Sequence, residues 1–207
     1  MSAFDWIAAA IVVISMLYLS FVLTLGDWIA ALRKGKAVTL LPERKGGAWP
    51  LWTQLGIVLL GLALCVPFFY YLWIPLVTVS PDTKRGLAVI GLFIYLAGIT
   101  FLLWARRALG RNWGISTSLQ VKLLDDHQLI QSGPYALVRH PMYFGWWVAL
   151  LGLTLLYPVL AVLLMLIFSI ISFLGRARRE EATLAERFGD VWFEYKQHTK
   201  FLVPFIY

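Results

Sequence analysis

The residues best suited to chemistry lie in two clusters at the ends of one uncharged stretch. The first is Gly133-Pro-Tyr-Ala-Leu-Val-Arg-His-Pro-Met-Tyr-Phe-Gly145, which sets Tyr135, Arg139, His140 and Tyr143 around two prolines. The second is Arg176-Ala-Arg-Arg-Glu-Glu181. Arginine holds a carboxylate through charge-assisted bonds. Carboxylates and aromatic faces hold cations. Histidine exchanges a proton near neutral pH. Folding the 141–175 stretch into a hairpin would bring both clusters to one membrane surface, where they could bind an anion beside a cation.

Each element has a plainer reading as well. Pro141 pushes His140 away from helical angles and is well placed to open a helix. Arg139-His140-Pro141 alone is also an ordinary basic flank, and Tyr135 and Tyr143 are also ordinary interfacial tyrosines. Glu180 and Glu181 run against the positive-inside trend. They either pair with Arg176, Arg178 or Arg187 at helical spacing or hold a cationic ligand. Asp125-Asp126-His127 has the composition of a metal group. Neither His140 nor His198 stands at a short ligand spacing from it, so no metal is expected. No Gly-x-Gly-x-x-Gly occurs, which leaves a soluble dinucleotide-binding domain unsupported.

The elements that must position these clusters follow from composition. The 207 residues are 60% hydrophobic and 14% charged, as in a polytopic membrane protein. Uncharged stretches at 6–26, 51–74 and 86–105 each predict one spanning helix. The 141–175 stretch is too long for one, and Tyr157-Pro158 predicts a turn near its middle. The two arms would hold about 16 and 17 residues, some 24–26 Å at about 1.5 Å per residue. That falls short of a roughly 30 Å hydrocarbon core, so a re-entrant or thinly spanning hairpin is expected. The fold class is therefore an all-α integral membrane protein with about five transmembrane helices, including a C-terminal hairpin. Residues 6–26 read as a retained helix, because Asp5 stands where a signal would be basic and no small-residue cleavage site follows. Pro67 and Pro75 are expected to kink or end the second helix. Beyond Arg176 the last helix is expected to continue to a stop at Gly189. The aromatic residues Trp192, Phe193, Tyr195, Phe201, Phe205 and Tyr207 follow it. Residues 1–105 form the anchor and residues 106–207 the region that carries the chemistry.

Charge sets the orientation. With the C-terminus in the cytoplasm, 18 basic residues divide so that only Lys84 and Arg85 lie outside. The first loop (Arg33, Lys34, Lys36, Arg44, Lys45) lies inside. So do the third (Arg106, Arg107, Arg111, Lys122, Arg139) and the tail. The N-terminus is then outside, and Asp27 sits near Arg33 and Lys34 at the headgroup level. The net charge of +7 serves topology and attracts anionic membrane lipids, so no nucleic acid is expected as a partner. The single Cys65 excludes an intrachain disulfide and is expected to be a buried, inert side chain. The small size favours a bacterial inner membrane.

Taken together, the pieces resemble the isoprenylcysteine carboxyl methyltransferase family of integral membrane enzymes. The resemblance rests on Gln120, the run His127-Gln128-Leu129-Ile130, Ser132-Gly133 with Tyr135, and Arg139-His140-Pro141-Met142-Tyr143 with Gly145-Trp146. It continues through Arg176, Glu180-Glu181, Leu184, Phe188-Gly189 and Pro204, covering residues 109–207. The Arg-His-Pro-x-Tyr-x-Gly element is shared with wider phospholipid-methyltransferase-like and sterol-reductase-like membrane proteins; its combination with the other runs is more specific.

The resemblance implies S-adenosylmethionine as methyl donor. The donor would be bound on the cytosolic side by Gln120, His127, Gln128, Leu129, Ile130, Tyr135, His140, Pro141, Met142, Tyr143 and Glu180. The loop before the hairpin and the C-terminal tail would form that pocket. The resemblance also implies that Arg176, with Arg139, faces the acceptor carboxylate. Trp192 departs from the pattern, because family members often carry a tyrosine there; a packing change is expected.

The chemistry agrees with these roles. A carboxylate acceptor is already ionised at pH 7 and needs placement, not a base. An amine would first have to lose a proton, to His140 or Glu181. A prenyl chain gains about 0.8 kcal/mol per buried CH₂ and would enter sideways from the bilayer. Three readings stay open: methyl-esterification of an isoprenylcysteine-type acceptor, methylation of a phospholipid amine or small thiol, and a non-catalytic membrane binding or transport protein.

Overall fold

The structure is a computed structural model that describes residues 2–25, 29, 50–112 and 128–204. Asp27, the first-loop basic residues, Trp113, Gln120, Lys122, Asp125, Asp126, His127, Phe205 and Tyr207 lie outside the described residues. Among the described residues the regular structure is helical: α1 (Ala3–Ser20), α2 (Leu51–Tyr71), α3 (Pro81–Leu109), α4 (Pro141–Leu156), α5 (Leu160–Phe188) and α6 (Asp190–His198). The chain is a helical integral membrane protein. Among the described residues, four helices are long and apolar enough to cross a membrane, and α4 is a shorter apolar helix.

Local sequence sets the helix ends. Ser2 and Asp5 cap α1 reciprocally, each side chain accepting from the other's backbone N–H. A short π-helical turn, Phe21–Leu25, extends it. Ser80 caps α3 with Pro81 in its first turn, so this helix begins five residues before the apolar stretch at 86. Hydropathy marks the lipid-facing part of a helix, and a charged first turn holding Asp82, Lys84 and Arg85 is helical all the same. α2 ends at Tyr71, three residues short of the expected 74, and carries Pro67 inside it. Pro75 lies beyond that end, in an extended segment that bridges to Val159.

The expected turn stands at Tyr157-Pro158, between α4 and α5. Three backbone bonds tie this turn to the end of α2: Leu76 N–H to Pro158 O at 2.8 Å, Leu160 N–H to Ile74 O at 2.8 Å, and Ala161 N–H to Leu72 O at 2.9 Å. α4 has the 16 residues expected of the first arm. The second arm runs on for 29 residues, about 43 Å at 1.5 Å per residue, because the helix continues past Gly175 into the charged cluster. Gly189 ends it with φ 50°, a left-handed value that a Cβ would penalise.

α3 and α4 run antiparallel with their backbones in contact. A Cβ at Gly91 would stand 2.6 Å from Leu156 N, and one at Gly98 would stand 2.7 Å from Gly145 O. A Cβ at Gly145 would stand 2.8 Å from Leu102 N, and one at Gly152 would stand 2.6 Å from Gly91 O. Four glycines thus form a seam that only small residues permit. Tyr95, Ile99, Leu102, Ala149, Leu150 and Leu153 are buried along it. α1 joins the bundle through Ser15, whose hydroxyl lies 2.6 Å from that of Tyr95. Cys65 is exposed on α2, not buried as expected. α2 offers apolar side chains on nearly all sides, so this thiol stands among surfaces suited to lipid.

Candidate active site

The hairpin brings the two charged clusters together at the polar end of the bundle. Pro141 opens α4, leaving His140 outside the helix at φ −122°, ψ 59°. Opposite it, the last four turns of α5 carry Arg176, Glu180 and Glu181. Glu180 joins the two arms: the Tyr143 hydroxyl donates to its Oε1 at 2.7 Å, and Arg176 Nε donates to the same oxygen at 2.9 Å. Glu181 faces the other way, accepting from Arg139 Nε at 2.6 Å, while its second oxygen meets Lys196 Nζ at 3.3 Å.

His140 sits between the two carboxylates. Its Nδ1 lies 3.6 Å from Glu180 Oε2 and its Nε2 lies 3.5 Å from Glu181 Oε1. These are ion-pair distances, and Nε2 has no protein partner in good hydrogen-bond geometry. The ring stacks on Tyr143, 8° from parallel with centroids 5.6 Å apart, and meets Phe201 edge-on at 5.3 Å. Burial by itself would push the imidazole below its usual range. The Glu180 and Glu181 carboxylates outweigh that effect and hold it above.

The C-terminal segment closes the site. Val138 and Lys200 bridge in parallel, Arg139 N–H donates to Lys200 O at 2.8 Å, and His140 N–H donates to Phe201 O at 3.3 Å. The Tyr195 hydroxyl donates to the Tyr135 carbonyl at 2.7 Å. Val138, Trp192, Tyr195, Thr199 and Leu202 are buried together with these contacts. Trp192 packs edge-on against Tyr195, centroids 5.7 Å apart, so the departure at 192 fills a core position. Burial raises the phenols of Tyr135 and Tyr195 above their usual range, and both stay neutral.

The sequence-expected residues therefore divide. His140, Tyr143, Arg176 and Glu180 meet in one network, with Pro141 and Met142 in the first turn of α4 behind them. Tyr135 lies in a short 3₁₀ turn held by the tail. Leu129 and Ile130 are half-buried, and Gln128 is exposed, its N–H donating to Asn112 Oδ1 at 2.7 Å. Gln120 and His127 fall outside the described residues. Arg139 is drawn to Glu181 and the tail. Of the two readings left open for the glutamates, Glu180 shows the pairing with Arg176 at helical spacing, and Glu181 pairs instead with Arg139 and Lys196, which are distant in sequence. Lys196 and Asn112 were not signalled, since each acquires its contact only through the fold, whereas Phe201 belongs to the aromatic tail and packs back on His140.

These features define the class: a helical integral membrane protein with a network of acid, base and guanidinium groups at the polar end of a hairpin. Residues 89–186 match the sequence profile of the isoprenylcysteine carboxyl methyltransferase (ICMT) family. Over that segment the chain is similar to the family. It is 34% identical over 132 residues to the protein-S-isoprenylcysteine O-methyltransferase of Xenopus laevis, covering 62% of this chain and 45% of the relative. The Homo sapiens protein of the same name is 33% identical over 130 residues, covering 61% and 45%. The solved structure of the eukaryotic intramembrane Ras methyltransferase ICMT, without a monobody, aligns with a TM-score of 0.54 at 28% identity. That alignment covers 73% of this chain and 53% of the other. The chain thus spans about half the length of the relatives it matches. The family profile begins inside α3, upstream of the residues that carry the sequence resemblance, and ends before α6.

Proposed function

We propose that the chain is an S-adenosylmethionine-dependent methyltransferase. It esterifies the carboxylate of an isoprenylcysteine-type lipophilic acceptor at the membrane–cytosol interface. One observation carries the reading: Glu180, Tyr143, His140 and Arg176 converge where the two hairpin arms leave the apolar bundle. The names of the relatives support it.

The residues present fit this donor. Glu180 is a partly exposed carboxylate bonded to the Tyr143 hydroxyl, an environment suited to a sulfonium cation. The buried His140 Nε2 has no well-aligned partner and suits the donor's carboxylate. Tyr135, Pro141 and Met142 would line the same wall, and Gln120, His127, Gln128, Leu129 and Ile130 would complete it from the preceding loop. When bound, the donor supplies an electrophilic methyl group. Arg176 would hold one oxygen of the acceptor carboxylate and leave the other free to attack. No general base is required, because the acceptor is ionised at neutral pH. The acceptor's chain would reach Arg176 from the bilayer, with residues 1–105 as anchor and 106–207 as catalytic region. The N-terminus would lie outside and the C-terminus in the cytoplasm of a bacterial cell.

The test is methyl transfer from labelled donor to a farnesylcysteine analogue by the detergent-purified protein. The expected product is base-labile and releases labelled methanol in alkali. A base-stable product would mean an amine or thiol acceptor, and absence of saturable donor binding would remove the enzymatic reading.

A further inference from the structure

Arg139 is committed on several sides. Its Nε donates to Glu181 at 2.6 Å, and its Nη1 donates to the carbonyls of Lys196, at 3.3 Å, and Thr199. The guanidinium also stands 5.6 Å from the Phe201 ring. A guanidinium grips a carboxylate bidentately through one of two edges, Nε with Nη2 or Nη1 with Nη2. Here each edge contains an atom already engaged. All the acceptors except Glu181 belong to the end of α6 or the residues after it, and Glu181 itself meets Lys196 at 3.3 Å. The side-chain contacts reinforce the backbone pairing of 139–140 with 200–201. That pairing places Phe201 against His140 and Tyr195 on the Tyr135 carbonyl.

We propose that Arg139 is a positioning residue and not an acceptor ligand. With Glu181 and Lys196 it straps residues 190–204 across the 138–140 turn, and the strap holds His140 and Tyr135 in the site. The proposal rests on the methyltransferase reading for its kinetic consequences alone; the strap itself is testable without activity.

The full-length protein in detergent would be compared as wild type, Arg139→Gln, Arg139→Lys, Glu181→Gln, Lys196→Ala and Arg176→Gln. Chymotrypsin cleavage within residues 190–204, followed by mass spectrometry, reports the strap. Arg139→Gln and Glu181→Gln should be cut at least tenfold faster than wild type. Arg139→Lys should fall between, and Arg176→Gln should match wild type. With a farnesylcysteine analogue, Arg139→Gln should lower kcat and raise the donor KM while the acceptor KM stays within twofold. Wild-type cleavage in Arg139→Gln with a tenfold rise in acceptor KM alone would overturn the proposal. If Arg139→Gln does not fold, Arg139→Lys and Lys196→Ala decide it: faster cleavage in both supports the strap, and unchanged cleavage in both overturns it. A wild type that transfers no methyl group would remove the functional reading while the cleavage result still judged the strap.

Discussion

Tyr143 donates its hydroxyl proton to Glu180 at 2.7 Å, joining two helices across 37 positions of sequence. The contact fixes the height at which the second arm of the hairpin meets the first. It also leaves the Glu180 carboxylate ringed by a phenol, a guanidinium and an imidazole.

Glu180→Gln is expected to weaken saturable donor binding roughly 10- to 100-fold, the loss typical of a charge-assisted contact worth about 1.5–3 kcal/mol. Tyr143→Phe should weaken it less, and the double variant should resemble Glu180→Gln, since the two residues act through one contact. Calorimetric titration with the donor checks this. Wild-type affinity in Glu180→Gln would place the donor elsewhere.

Arg176→Ala is expected to raise the acceptor KM at least tenfold. Arg176→Lys should recover part of the loss, because a lysine keeps the charge without the fork. Initial-rate kinetics with the two substrates varied separately would show the effect. An acceptor KM unchanged by either substitution argues against a carboxylate held at this position.

The His140 imidazole is held above its usual range by Glu180 and Glu181 despite its burial. The protonated form is thus favoured by folding. Its contribution to stability is fully present below the unfolded value of about 6.5 and is lost as pH climbs through the higher folded value. Thermal unfolding in detergent should show the wild type losing stability as pH rises above about 6.5. A His140→Asn variant should be flatter over the same range. Parallel curves would mean that His140 does not titrate in this window.

Gly98→Ala should destabilise the bundle by about 1–3 kcal/mol, the cost of forcing a methyl group into a packed seam. The added Cβ would stand 2.7 Å from Gly145 O, and backbone cannot move aside as a flexible side chain can. Gly86→Ala, in the same helix with nothing within 4 Å, serves as the control and should be neutral or stabilising. Equal melting temperatures for the two variants would show that α3 and α4 do not touch as described.

Much of the architecture was legible because it is local. Uncharged runs located the spanning helices, Tyr157-Pro158 located the hairpin turn, and Gly189 located the end of α5. Each of these signals acts within a few residues. The helix ends at Pro81 and Tyr71 were misjudged because hydropathy reports contact with lipid, not backbone conformation. Arg176 with Glu180 could be read from a spacing of four. Arg139 with Glu181 could not, since those residues stand 42 positions apart and their pairing depends on how the hairpin folds. Lys196 looked like one more charge in the tail, and only the docking of α6 gives it a partner.

The glycine seam has a consequence for traffic. Backbones that touch at Gly91, Gly98, Gly145 and Gly152 leave no width for a hydrocarbon chain between α3 and α4. If, as proposed, a lipid-borne acceptor reaches Arg176, it would be refused at that flank and would need another gap in the helix wall. On that reading, the residues that keep the hairpin upright would also limit the directions from which the bilayer could deliver its cargo.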